Sequence, residues 1–80
     1  MWRYEVLIDL DDEGREWEDK KGIYFAFAEK YNAACFGNSK KRNSRLVFIS
    51  ESVLSRKDLE KDLSGIRLIE VRKEELREVA

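Results

Sequence analysis

Leu46-Val47-Phe48-Ile49-Ser50, then Ser55-Arg56-Lys57-Asp58-Leu59, then Gly65-Ile66-Arg67-Leu68-Ile69-Glu70-Val71 is the passage that sets the fold class. Its first piece is a continuous apolar run of strand length with no polar face. It therefore reads as a central strand at 46–50 covered on both sides. Ser55 with Asp58 three residues on fits a capping box, and Leu54 and Leu59 are placed as the hydrophobic staple around it. The helix so begun runs to about Ser64, where Gly65 ends it. Residues 66–71 are again a strand. A strand–helix–strand passage over 46–71 implies a parallel βαβ unit with a right-handed crossover.

Toward the N-terminus, Trp2, Tyr4, Val6, Ile8 and Leu10 alternate with Arg3, Glu5, Leu7 and Asp9, the period of a half-buried strand. Asp11-Asp12-Glu13-Gly14 has the residues of a type I turn. Such a turn would return Arg15–Asp19 as a hairpin arm and set Trp17 opposite Ile8. Residues 21–36 read as a helix, because Ile23, Phe27, Tyr31 and Cys35 lie four apart, with Gly37-Asn38 as the stop. Residues 38–45 form a polar, basic loop. Toward the C-terminus, Lys73 to Val79 reads as a short last helix. The expected architecture is one α/β domain over 1–80, with α+β as the alternative. Its order is β(β)αβαβα, and its sheet is mixed.

Composition excludes several chemistries. The 80 residues contain no His, Pro, Thr or Gln. Mechanisms with an imidazole base or a His-held metal are therefore closed to this chain. The single Cys35 cannot form an internal disulfide or a multi-cysteine zinc site, and it reads as a buried structural thiol. The longest apolar run, Ile23 to Ala28, is too short to span a bilayer, and residues 1–15 lack the continuous hydrophobic segment of a signal peptide. A cytoplasmic protein with no membrane partner and no evident small-molecule cofactor is expected.

The formal net charge of −1 is a sum of two opposed segments. From Asp9 to Asp19 there are seven acids against Arg15 alone. From Asn38 to Arg45 there are four bases, Lys40, Lys41, Arg42 and Arg45, and no acid. Clustered carboxylates can hold Mg²⁺ or Mn²⁺, with Asp9, Asp11 and Glu18 as candidate ligands. The same run also serves as a solvated turn that blunts a sheet edge. The four bases can contact phosphates, or they simply solubilise a loop. Trp2, Tyr4 and Trp17 suit base stacking or a packed interface. Tyr24, Phe25, Phe27, Tyr31 and Phe36 encircle more of the first helix than one buried stripe needs, so either the helix is nearly engulfed or part of it packs on a partner, with a homodimer the expected form.

Tyr31-Asn32-Ala33, Leu46 to Ser50, the helix after it, Gly65 to Ile69 and Glu74-Glu75-Leu76 together resemble the C-terminal part of Mrr-like restriction-endonuclease-fold domains. The resemblance implies an Asp and a Glu-x-Lys motif on a hairpin, holding Mg²⁺ or Mn²⁺ and activating water. On this sequence it maps to Asp11 and Glu18 as metal ligands and Lys20 as the residue orienting the nucleophile. The family's Glu-x-Lys ends an apolar strand, whereas Arg15-Glu16-Trp17 is not one, and the family's preceding helix has no counterpart. Two functional readings thus stand side by side. One is a non-enzymatic, self-associating module that binds nucleic acid through Lys40, Lys41, Arg42 and Arg45. The other is a metal-dependent nuclease. A structural or regulatory partner of another protein is the third.

The Glu- and Lys/Arg-rich, Gln-free composition is that of a protein from a heat-loving source, where surface ion-pair networks stabilise most. Scanning calorimetry should place the melting midpoint well above the roughly 45–65 °C of ordinary small domains. A midpoint near 50 °C would contradict the thermophilic expectation.

Overall fold

Alternation along the first strand dictates the centre of the molecule. In the computed structural model, which describes residues 1–10 and 17–77 (with only the backbone of Trp17 and Asp19), β1 spans Trp2–Asp9. It buries Tyr4, Val6 and Ile8 and turns Arg3, Glu5, Leu7 and Asp9 the other way. It is followed by α1 (Trp17–Tyr31), β2 (Ala34–Asn38), β3 (Asn43–Ser50), α2 (Arg56–Asp62) and β4 (Arg67–Glu75). The strands form one sheet in the order β2-β3-β1-β4, and every neighbouring pair is antiparallel. This is a β-α-β-β-α-β chain, two split β-α-β units sharing a sheet. Tyr24 and Phe27 of α1 and Leu59 of α2, with Leu63 just after it, join Tyr4, Val6, Ile8, Leu46, Phe48, Ile66 and Leu68 in one core. Both helices therefore cover the same face, an α+β arrangement.

Several expectations are corrected by this architecture. The order is not β(β)αβαβα, and the sheet is not mixed. β3 and β4 do run in the same direction with α2 between them, but β1 lies between the two strands, so no parallel pair exists. Residues 17–19 of the expected hairpin arm belong to the first turns of α1, while the expected turn at 11–14 lies outside the described residues. The strand at 46–50 is interior to the sheet but covered on one face only: Leu46 and Phe48 are buried, Val47 is half-buried and Ile49 is exposed.

The helix expected over 21–36 stops at Tyr31 because Asn32 enters the left-handed region at φ 51°. The Ala33 amide then donates to the Ala28 carbonyl at 2.8 Å and the Asn32 amide to the Glu29 carbonyl at 3.3 Å, the bond pattern of a Schellman cap. Cys35, Phe36, Gly37 and Asn38 consequently lie in β2, and the Cys35 thiol is exposed, not buried. The stretch 38–45 contains a four-residue hairpin turn. Asn38 Oδ1 accepts the amides of Lys40 and Lys41 at 3.1 and 3.2 Å, and Arg42 takes φ 49°. The last expected helix is also absent where it is described. β4 runs through Glu75, and the Leu76 amide donates to the Met1 carbonyl at 2.9 Å.

The capping box at Ser55 forms as its spacing suggests. The Asp58 amide donates to Ser55 Oγ at 3.1 Å, and the Ser55 amide donates to Asp58 Oδ2 at 3.1 Å. The Ser55 amide, together with the Ser55 hydroxyl that donates to the same carboxylate at 2.9 Å, holds the Asp58 carboxyl below the usual range. Arg56 and Glu60 pair at 2.9 Å along the exposed side of α2. Gly65, at φ 85°, turns the chain out of α2 into β4, a conformation that an L side chain would strain. No helix among the described residues is long and apolar enough to cross a membrane.

The two helices are joined by one polar contact. The Tyr31 hydroxyl donates to Asp62 Oδ2, and Lys30 Nζ reaches the same carboxylate at 2.9 Å. The hydroxyl's bond, aided by Lys30, lowers the Asp62 pKa, whereas burial first and then the carboxylate raise that of Tyr31. A depressed carboxyl stabilises the fold above its unfolded pKa, so this contribution fades as pH falls below about 4. A raised phenol stabilises below its unfolded pKa and is lost as pH rises above about 10. Tyr31→Phe should therefore flatten both the acid and the alkaline limbs of stability against pH in denaturant titrations. Unchanged limbs would show that the contact contributes nothing.

Candidate functional site

The acidic candidates are spread along the chain's path. Asp9 ends β1 on the face away from the helices, opposite Asn43 and Arg67, with Arg67 Nη1 4.0 Å from its carboxylate. Glu18 is exposed on the first turn of α1 and pairs with Lys21 at 2.5 Å. Lys20 is fully buried, and its ammonium donates to the Leu10 carbonyl at 2.8 Å. Asp11 lies outside the described residues. Glu18 and Lys20 therefore stand on a helix and not on a hairpin strand. Among the described residues no three His, Cys, Asp or Glu side chains gather in a way that could hold a metal ion.

The four bases are brought to one end of the sheet. Lys40, Lys41 and Arg42 occupy the β2–β3 turn, and Arg45 follows on β3, its side chain on the uncovered face. The turn is anchored from outside the hairpin, because the Leu10 amide donates to the Arg42 carbonyl at 2.9 Å. Register places Phe36 of β2 directly across from Arg45, so ring and guanidinium share the uncovered face. Phe36 is 60% exposed. Leu7, Phe36, Gly37, Asn38, Lys41, Asn43 and Arg45 line an open concavity of about 430 Å³. Among the described residues its wall offers two cations, two amides and an aromatic ring, and no carboxylate.

Another large concavity on this face differs in sign. Arg3, Glu5, Arg72, Lys73 and Glu74 line about 480 Å³, where charges of both kinds alternate. Arg3 Nη1 holds the Glu5 carboxylate at 2.8 Å, and Arg45 reaches it at 3.6 Å. The Arg3 hydrogen bond, with help from Arg45 and Arg72, keeps the Glu5 carboxyl below the usual range, so it stays ionised. Glu70 does the converse for Arg72, pairing at 3.0 Å and raising its pKa. The middle of the face is thus internally neutralised, and the cationic surplus sits at the hairpin end.

Phe36, Asn38 and Asn43 were not legible as site residues from the sequence. Phe36 was assigned to a helix by its place after the four-residue apolar row. The signal that relocates it is Asn32, a residue that readily takes the left-handed conformation closing a helix. The chain matches no protein-family model, no curated protein and no solved structure with which it was compared.

Lys20 offers a separate test of its place in the fold. Truncation would leave the Leu10 carbonyl without its buried donor, a loss of about 1–3 kcal/mol. Lys20→Ala should therefore lower the free energy of unfolding by that amount, read in urea as a lower midpoint at unchanged slope. A variant as stable as the parent would show that the bond carries no net stabilisation.

Proposed function

We propose that the protein is a non-enzymatic binding module whose uncovered sheet face takes single-stranded nucleic acid at the hairpin end. The observation that carries this reading is the exposed Phe36 ring beside Lys41 and Arg45 in a concavity whose described lining residues include no carboxylate. An exposed ring on a sheet gives a base somewhere to stack, and neighbouring cations follow the phosphates. Single strands are favoured because a base must leave its own stack to meet the ring. Lys40 and Arg42 extend the cationic rim along the turn. A net charge of −1 over the chain makes the attraction local, confined to this end of the sheet.

Fluorescence anisotropy with a labelled single-stranded oligonucleotide at low salt tests the reading. Binding should weaken with added salt, and neutralising Lys41 should lower the salt slope by about one, whereas neutralising Arg45, which already has Glu5 3.6 Å away, should lower it by less. Phe36→Ala should cost about 1–3 kcal/mol of affinity, the worth of one stacked base. Duplex of the same sequence should bind more weakly. The proposal fails if no salt-sensitive binding exists, or if replacing all four bases and Phe36 leaves affinity unchanged.

A further inference from the structure

β2 is exposed along its whole length: α1 packs mainly on β3 and α2 on β4, and all five residues of Ala34–Asn38 are exposed. One side of β2 is hydrogen-bonded to β3 in unbroken register, while its outer side has no neighbour among the described strands. Sheet edges invite pairing with another chain unless charge, proline or a bulge guards them. The opposite edge is guarded. β4 carries charge at six of its nine residues and pairs with β1 through a register shift at Leu7/Ile8. β2, with the sequence Ala-Cys-Phe-Gly-Asn, carries no charge, no proline and no shift.

We infer that β2 is a self-association edge, where a second copy of this chain pairs antiparallel with the first about a twofold axis. The inference needs only the edge and stands independently of nucleic-acid binding. Antiparallel pairing of identical strands is self-complementary, so it closes as a dimer, whereas β2 meeting another copy's β4 would leave free edges and continue into a fibre. Electrostatics favour the same occupant. A neutral strand brings no like charges face to face across the axis, and it gives a charged peptide no counterion. Apolar surface flanks the joint on both sides of the sheet. Phe36 stands on the uncovered side. On the helix side Phe25, 57% exposed, lies edge-on to Tyr24 at 5.2 Å, and the Tyr24 hydroxyl bonds Ser44, the partner of Gly37 in the ladder. The paired copies form one eight-stranded sheet with the two Phe36 rings on the same face.

Gly37 supplies the test. Its φ is not in the left-handed region, and a Cβ built on it meets no atom within 4 Å, so the folded monomer accepts a side chain there. Sedimentation equilibrium of the wild-type chain without nucleic acid should show a dimer at high micromolar concentration. Gly37→Lys and Gly37→Glu should each raise its dissociation constant more than about tenfold, since either charge meets its own kind across the axis. Their circular dichroism and melting should match the parent. Hydrogen exchange on the wild type needs no variant: amides of residues 34–38 should become protected as concentration rises. A single-chain mass at every concentration with no such protection overturns the inference. So does a dimer that survives both substitutions undiminished.

Discussion

Four rings stacked across three elements hold the layers together. Tyr4 of β1 lies 5.3 Å from Phe48 of β3 and nearly parallel to it, while Phe48 also meets Tyr31 at 4.7 Å and Phe27 edge-on at 5.7 Å, both from α1. The stack explains why β1 and β3 are the interior strands: each places an aromatic ring on the one face that the helices cover. The polar ends of the rings extend the connection. The Tyr4 hydroxyl accepts the Leu54 amide at 2.7 Å, fixing the approach to α2, and the Tyr31 hydroxyl reaches Asp62 at its far end. Apolar area supplies the bulk of the stabilisation, and these two hydroxyls give it direction, because burying either without a partner would be unfavourable.

The uncovered face follows from the same alternation. Once Tyr4, Val6 and Ile8 point to the helices, Arg3, Glu5, Leu7 and Asp9 must point away. Cross-strand pairing then decides which charges meet. Glu5 falls between Arg3, Arg45 and Arg72, and Asp9 falls beside Arg67. At the hairpin end Phe36, Asn38 and Asn43 line the face beside Lys41 and Arg45, with no carboxylate among the described lining residues. The face is accordingly graded, neutralised at the centre and cationic at one corner.

How much of this was legible in the sequence depends on the kind of signal. Local, short-range signals read true: the alternation of β1, the capping box at Ser55 and the turn from Gly65. Signals that extrapolate a pattern past a break did not. The row Ile23, Phe27, Tyr31, Cys35 carries helical spacing across Asn32, where a single positive φ ends the helix and reassigns everything after it. Lys73-Glu74-Glu75 consists of good helix formers, but pairing with Tyr4, Arg3 and Trp2 of β1 makes them strand, a tertiary override of propensity. The parallel unit over 46–71 has the right direction and the wrong neighbour. No local pattern announces that β1 enters between two strands joined by a helix. Of the site, the cations were visible as a charge run, whereas the ring beside them depended on a register that only the hairpin sets.

The Glu5 bridge gives the face a built-in competitor for Arg45. The guanidinium already has a carboxylate 3.6 Å away, so any anion that reaches it exchanges one counterion fixed in the fold for another, instead of releasing a mobile ion to bulk solvent. That exchange has little entropy to gain, and Glu5 keeps Arg3 when Arg45 leaves it. Arg45 thus behaves as a buffered charge, and Lys41, which has no such bridge among the described residues, is the cation that responds more fully to ionic strength.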